Sequence, residues 1–170
     1  AVLLLPIAAG IFSSFDHTLW TTAMEHTLVA NATLLNNISP LWVGLFAILA
    51  WKERLGRRFW LGLILTMSGA ALVFGNDMIA NPHLGVGDAL SLASSLFYAG
   101  LLIFSQLGRQ FFKTLPFTFI SVTACCASLL GINLALGHPL SGYSQFSYLC
   151  FILAGIISQV IGYFTLNYAL

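Results

Sequence analysis

PFTFISVTACCASLLGINLAL, residues 116–136, runs for 21 positions without an Asp, Glu, Lys or Arg. A membrane-spanning helix needs about 20 predominantly apolar residues. A run of this length exceeds what a buried strand uses. Working outward, comparable runs at 2–24, 28–50, 59–75, 87–107 and 146–170 bring the count to six candidate spans. The third is short unless it extends toward Asn76, which a thin or tilted span accommodates. The stretches between the runs carry the turn residues, among them Gly75-Asn76-Asp77, Asn81-Pro82 and Gly137-His138-Pro139. Pro116 stands where a first helical turn begins, a position that tolerates a missing N–H. Composition agrees: 59% of the chain is hydrophobic and 6% charged, against about 25% charged in a soluble domain. So few charges cannot cover a water-facing surface. The expected fold is an all-α, polytopic transmembrane helical bundle. The run Val2–Phe15 has no basic segment ahead of it and reads as a span entered partway, not as a signal peptide.

The six basic residues give the bundle a direction. Lys52, Arg54, Arg57 and Arg58 lie between spans two and three, and Arg109 and Lys113 between spans four and five. Two crossings separate these loops, so they face one compartment. The other loops hold Glu25, Asp77, His83 and His138 but no Lys or Arg. Positive loops mark the cytoplasmic side, so the first span runs from inside to outside. Trp51 and Trp60 bracket the basic loop where an aromatic belt is expected. The expected location is a bacterial cytoplasmic membrane, with loops 52–58 and 109–113 inside.

Several function classes find no support in the residues. The basic residues form no long run, so a nucleic-acid partner is not expected. Cys125, Cys126 and Cys150 sit in apolar stretches, make no Cys-x-x-Cys pair and have no histidine at a ligand spacing. No metal or cofactor is therefore expected. There is no Gly-x-x-x-x-Gly-Lys-Ser/Thr loop for a nucleotide. Neither a pair of buried aspartates nor a His-Glu-x-x-His motif points to intramembrane proteolysis. A non-enzymatic role is expected, with a small solute and the lipid bilayer as partners.

The first and last spans resemble each other. Gly10-Ile11-Phe12-Ser13 is similar to Gly155-Ile156-Ile157-Ser158, and the two stretches run on to Ala23-Met24 and Ala169-Leu170. The offset holds five spans. An odd number of spans per repeat inverts the second copy, a recurrent transporter architecture with substrate held near the midplane.

A family resemblance rests on Ala23-Met24, Ala30-Asn31-Ala32-Thr33-Leu34-Leu35 and Ser39-Pro40-Leu41. It continues through Lys52-Glu53-Arg54-Leu55, Trp60-Leu61-Gly62 and Ser68-Gly69-Ala70. These runs resemble the EamA-type drug/metabolite transporters. The resemblance implies a ten-span fold of two inverted five-span repeats that carries small metabolites such as amino acids. By that comparison residues 1–80 are the last three spans of a first repeat, and residues 81–170 the first three of a second. Two further spans are then expected on each side. The chain is expected to transport only with those segments or as a homodimer. A channel or a non-transporting assembly subunit is the alternative reading.

Within this frame a few residues are candidates for binding solute. Asp16 is the carboxylate well inside a span, and it costs about 2.5–3.5 kcal/mol there unless a partner or water offsets it. It is read as binding a cationic substrate group or a coupling proton. The alternative is a structural bond to a neighbouring helix, involving His17 or Thr18. Ser13, Asp16 and Trp20 share a face by spacing, so Trp20 is either a cavity wall or a packing residue. His17 falls elsewhere on the helical wheel. Pro40 frees the carbonyl of Asn36 and bends the second span. Thr33, Asn36, Asn37 and Pro40 then form a polar side that lines a cavity or glues helices together. Tyr98, Gln159, Tyr163 and Asn167 are further polar groups of spans four and six. Gly62, Thr66, Gly69 and Ala70, and Ala89, Ala93, Ser94 and Gly100, form small-residue stripes expected to admit close helix packing.

Overall fold

The computed structural model describes residues 2–80, 85–137, 139 and 141–169, with no side-chain description at 73–80 or at 159. The turn expected at Asn81-Pro82, and His83 and His138, lie outside the described residues. All regular structure among those residues is helical. The helices are α1 (Leu4–Met24), α2 (Val29–Asn36), α3 (Ser39–Ala50), α4 (Arg57–Ala80), α5 (Val86–Arg109) and α6 (Thr114–Leu136). They are followed by α7 (Gln145–Ala154), a π-helical segment (Gly155–Gly162) and α8 (Tyr163–Ala169).

α2 with α3, and α7 with the π segment and α8, each run on as one broken apolar segment. Four segments are long and apolar enough to cross a membrane by length and composition: Val29–Ala50, Val86–Arg109, Thr114–Leu136 and Gln145–Ala169. The 21 residues of α1 reach about 31 Å at 1.5 Å per residue, the thickness of a hydrocarbon core. Its composition is more polar because Ser13, Ser14 and Asp16 lie within it, and all three are buried. The protein is an integral membrane protein.

Three boundaries differ from the sequence expectation. α4 continues through Gly75, Asn76 and Asp77 to Ala80, so those residues lengthen the helix instead of turning the chain. The next proline in the sequence is Pro82, and nothing before it removes a backbone donor. α6 begins at Thr114, which puts Pro116 in the third position, still within the turn whose N–H groups have no intrahelical acceptor. The second span is interrupted: α2 stops at Asn36, and α3 starts at Ser39 with Pro40 in its first turn.

Chain reversal follows ordinary rules. Gly137 closes α6 at φ 71°, its N–H returning to the carbonyls of Asn133 and Leu134, a left-handed stop that glycine adopts at no steric cost. Lys52 follows α3 at φ 54°, and the Glu53 N–H reaches back to the Ala47 carbonyl at 3.1 Å.

The chain packs as two compact units, Phe15–Gly100 (the middle unit) and Ala1–Ser14 with Leu101–Leu170 (the outer unit). Within the middle unit, Gly87 lies so close to the preceding turn that a Cβ would collide with the Ala23 and His26 backbone and with the Thr27 Cβ. Gly44 stands likewise against the Phe59 ring. The Trp42 indole N–H donates to Ser95 Oγ at 2.8 Å. Asp88 closes the α5 N-terminus: it accepts from the Gly85 N–H at 3.0 Å and from the Thr27 hydroxyl at 2.7 Å. A carboxylate in the first turn also opposes the positive end of the helix dipole.

Within the outer unit, a Cβ on Gly10 would strike the carbonyl of Ser121, and one on Gly108 the ring of fully buried Phe117. Phe12 and Phe104 pack with ring centroids 5.1 Å apart. In lipid, such close van der Waals fit replaces the hydrophobic effect as the force between helices. The stripe on α4 behaves differently from expectation. Gly62 and Gly69 face open space, and Thr66 returns its hydroxyl to the Gly62 carbonyl. Close approach falls at other glycines, because spacing alone does not say which face a neighbour takes.

Candidate functional site

The middle unit places a carboxylate, an amide and a hydroxyl in line. Asp16 lies on the C-terminal half of α1 and is 4% exposed. Asn36 is the last residue of α2, where the span breaks. Its Nδ2 donates to Asp16 Oδ1 at 2.8 Å and to Ser94 Oγ on α5 at 2.8 Å. The two amide hydrogens are thus shared between two helices. Ser94 passes its own proton to the Ser91 carbonyl at 2.7 Å, which leaves its oxygen free to accept.

The break explains why Asn36 can do this. Pro40 has no N–H to give the Asn36 carbonyl, so the ladder is interrupted one turn before it. Asn37 takes φ −69°, ψ 3°, and its N–H returns to Thr33 at 3.0 Å. The chain resumes as α3 with a new axis start at Ser39. A half-buried polar side chain at a helix end, and not mid-ladder, is the outcome.

The Asp16 charge is not cancelled by a strong base. Among the described residues its ion-pair neighbour is His17, whose Nδ1 is 3.9 Å from Asp16 Oδ2. That exceeds hydrogen-bond range, although it brings His17 nearer to Asp16 than the helical wheel implied. Trp20 lies four residues on, and its indole N–H is buried without a hydrogen-bond partner among the described residues. Tyr98 is half-buried on α5, one turn beyond Ser94 and on the same face.

The other candidates separate from this cluster. Ser13 and Tyr163 belong to the outer unit, where their hydroxyls bond at 2.8 Å. Asn37 and Pro40 are exposed, and the Thr33 hydroxyl bonds the Val29 carbonyl at 2.7 Å. The polar side expected of the second span is therefore divided, with Asn36 turned inward. The Gln159 side chain lies outside the described set.

Asn167 joins a second polar group in the outer unit. It is 1% exposed, its Nδ2 donates to Thr118 Oγ1 at 3.0 Å, and its carbonyl takes the Arg109 Nε–H at 2.8 Å. Arg109 Nη1 donates to the Phe112 carbonyl at 2.8 Å, tying the α5–α6 turn to the end of α8. Sequence spacing gave Ser94 only a packing role and did not single out Trp42, Ser95, Asp88 or Thr118. Each is a small or amphipathic residue whose hydroxyl, indole or carboxylate acquires meaning only from a partner far along the chain. No group of three or more His, Cys, Asp or Glu with metal-holding geometry occurs among the described residues.

The EamA-like transporter family model matches residues 1–75, from α1 into α4, which bears out the resemblance read from the sequence. The match supports membrane transport in general. No curated protein and no solved structure shows significant similarity to the chain.

Proposed function

We propose, from the EamA-like match over residues 1–75, that the chain is part of a secondary transporter moving a small metabolite, such as an amino acid, by alternating access. The observation that carries the reading is the Asp16–Asn36 bond of 2.8 Å at a broken helix. Discontinuous helices form substrate and ion sites in transporters because irregular backbone is tolerated where it lines a cavity. A carboxylate held by a neutral amide keeps its charge available for a cationic group of the solute or for a coupling proton. Trp20 supplies an unused donor and an aromatic wall, Tyr98 a hydroxyl, and Asn36 the positioning amide. The α2–α3 break is the joint at which the two half-helices change angle. Asn37, Gln159 and Tyr163 enter the reading as residues of the solute path at other stages of the cycle.

The wider architecture belongs to the same proposal. Residues 1–80 and 81–170 are parts of two inverted five-span repeats, and the basic loops at 52–58 and 109–113 face the cytoplasm of a bacterial cell. Transport then needs the remaining spans or a second copy.

The test is flux into reconstituted vesicles, using a panel of radiolabelled amino acids with an internal pH dye. Saturable uptake is expected, and Asp16→Asn should lower it at least about tenfold, the scale of a lost charged hydrogen bond. Unchanged uptake across pH in Asp16→Asn removes both the cation and the proton roles. Non-saturating flux points to a channel.

A further inference from the structure

We infer that Ser95 and Trp42 are positioning residues for the Asp16–Asn36 pair. With Ser94 they pin both halves of the broken α2–α3 segment to α5, and so fix where the Asn36 amide points. For its effect on transport, this placement rests on the proposed solute reading of Asp16.

Backbone bonding across the break is too sparse to set the angle between α2 and α3. Asn37 returns its N–H to Thr33 at 3.0 Å, but Ile38 reaches only Leu35 at 3.2 Å, and Leu41 only Ile38 at 2.8 Å. Bonds to the third residue back make a tighter turn of poorer geometry than the α-helical ladder. Pro40 has no N–H to add. α2 has 8 residues and α3 has 12, lengths at which an isolated helix is marginal and tertiary contacts supply its stability. The placement of each half therefore depends on what its side chains hold.

α5 offers those side chains two successive residues. Asn36, the last of α2, donates to Ser94 Oγ at 2.8 Å. Trp42, in α3, donates its indole N–H to Ser95 Oγ at 2.8 Å. Ser94 and Ser95 are both fully buried. Each donates its own proton to the α5 backbone, Ser94 to the Ser91 carbonyl at 2.7 Å and Ser95 to the Leu92 carbonyl at 2.6 Å. A hydroxyl whose one proton is so engaged has only acceptor lone pairs left, which suits two N–H donors. Neighbouring residues on a helix point about 100° apart, so α5 meets the two half-helices on adjacent faces. Asn37 and Ile38 alone separate Asn36 from the start of α3, so a shift of α3 is carried to Asn36. Its other amide hydrogen goes to Asp16, and that bond moves with it.

The test is NMR of the full chain in detergent micelles with isotope-labelled asparagine. The Asn36 and Asn167 side-chain amides are assigned by their loss in Asn36→Gln and Asn167→Gln. Trp42→Phe keeps a ring and removes the donor, and Ser95→Ala removes the acceptor. Each should shift the Asn36 amide signal and speed its hydrogen exchange about threefold, the factor carried by an average interhelical bond in a membrane. The Asn167 amide, in the outer unit, should not move. The double variant should show no more than the single ones, since one bond is lost in all three. An Asn36 signal unmoved by both single variants overturns the inference. So does an additive double variant, or an equal change at Asn167, which would report general loosening. Uptake into vesicles reads the consequence: KM should rise about threefold in both variants, more than the maximal rate falls. Saturable, Asp16-dependent uptake with KM unchanged would reduce the pair to a helix fastening and overturn its positioning role. Absence of saturable uptake in the wild type would sink the solute reading instead, and the Asn36 amide would still decide the placement.

Discussion

Asn36 in the middle unit is half-buried and Asn167 in the outer unit is buried, and each donates its amide to a hydroxyl on another helix. Their remaining partners differ in kind. Asn36 also holds the Asp16 carboxylate, whereas the Asn167 Oδ1 has no hydrogen-bond partner among the described groups. Asn36 stands at a break inside a span, and Asn167 two residues from the end of α8. A charge-assisted bond is roughly twice as strong as a neutral one, and losing it strands a charge. On the proposed reading, the same residue type marks a working centre in one unit and a helix fastening in the other.

The sharpest way to break this comparison is Asn36→Leu. Asp16 would then lose its amide partner inside the membrane, and the expected cost is about 3 kcal/mol, read as a lower unfolding midpoint in detergent. Asp16→Asn should leave stability nearly unchanged, since an amide still meets an amide, while transport falls. The double variant Asp16→Asn/Asn36→Leu should recover most of the lost stability, a coupling of 1 kcal/mol or more. If Asp16→Asn destabilises as much as Asn36→Leu, the carboxylate is structural and the two asparagines belong to one class.

Much of this was legible in the chain, and what was not has a common cause. Apolar runs about 20 residues long specify a spanning helix locally, so the four long apolar segments and the interruption of Val29–Ala50 near Pro40 follow from the sequence. Asp16 announces itself because a carboxylate in a span is costly. Ser94 does not, because a serine between helices is equally suited to packing. Its bond to Asn36 spans 58 residues, and no local pattern encodes that partner. The α4 stripe shows the converse: Gly62 and Gly69 have the right spacing but no neighbour. The end of α4 was misjudged because Gly75, Asn76 and Asp77 are turn formers by propensity, yet propensity yields to a span that has not reached its length.

Glycines sharpen the contrast between packed and open faces. Gly108→Ala should cost about 1–3 kcal/mol, because the new methyl enters the space of the buried Phe117 ring. Gly108→Ala with Phe117→Leu should lose less than the sum of the single changes. Gly62→Ala meets open space and should be neutral, or stabilising by about 0.5 kcal/mol through the unfolded state. Thermal unfolding of these variants and of Phe117→Leu alone, four in all, in one detergent decides it. A large loss at Gly62→Ala would mean that its face is covered in the membrane.

Thr118→Val is the smallest change and the closest test of what Asn167 does. It removes the oxygen that accepts from Asn167 Nδ2 at 3.0 Å and keeps nearly the same shape. In a soluble core an amide left unsatisfied would cost about 1–3 kcal/mol. In a membrane the average interhelical hydrogen bond is worth about 0.6 kcal/mol, because the unfolded spans also find partners. The Asn167 backbone remains held by Arg109, so the end of α8 keeps its place when the side-chain bond goes. The expected loss is therefore about 0.6 kcal/mol, with transport unchanged. A loss above about 2 kcal/mol, or impaired transport at unchanged stability, would move Asn167 into the class of Asn36.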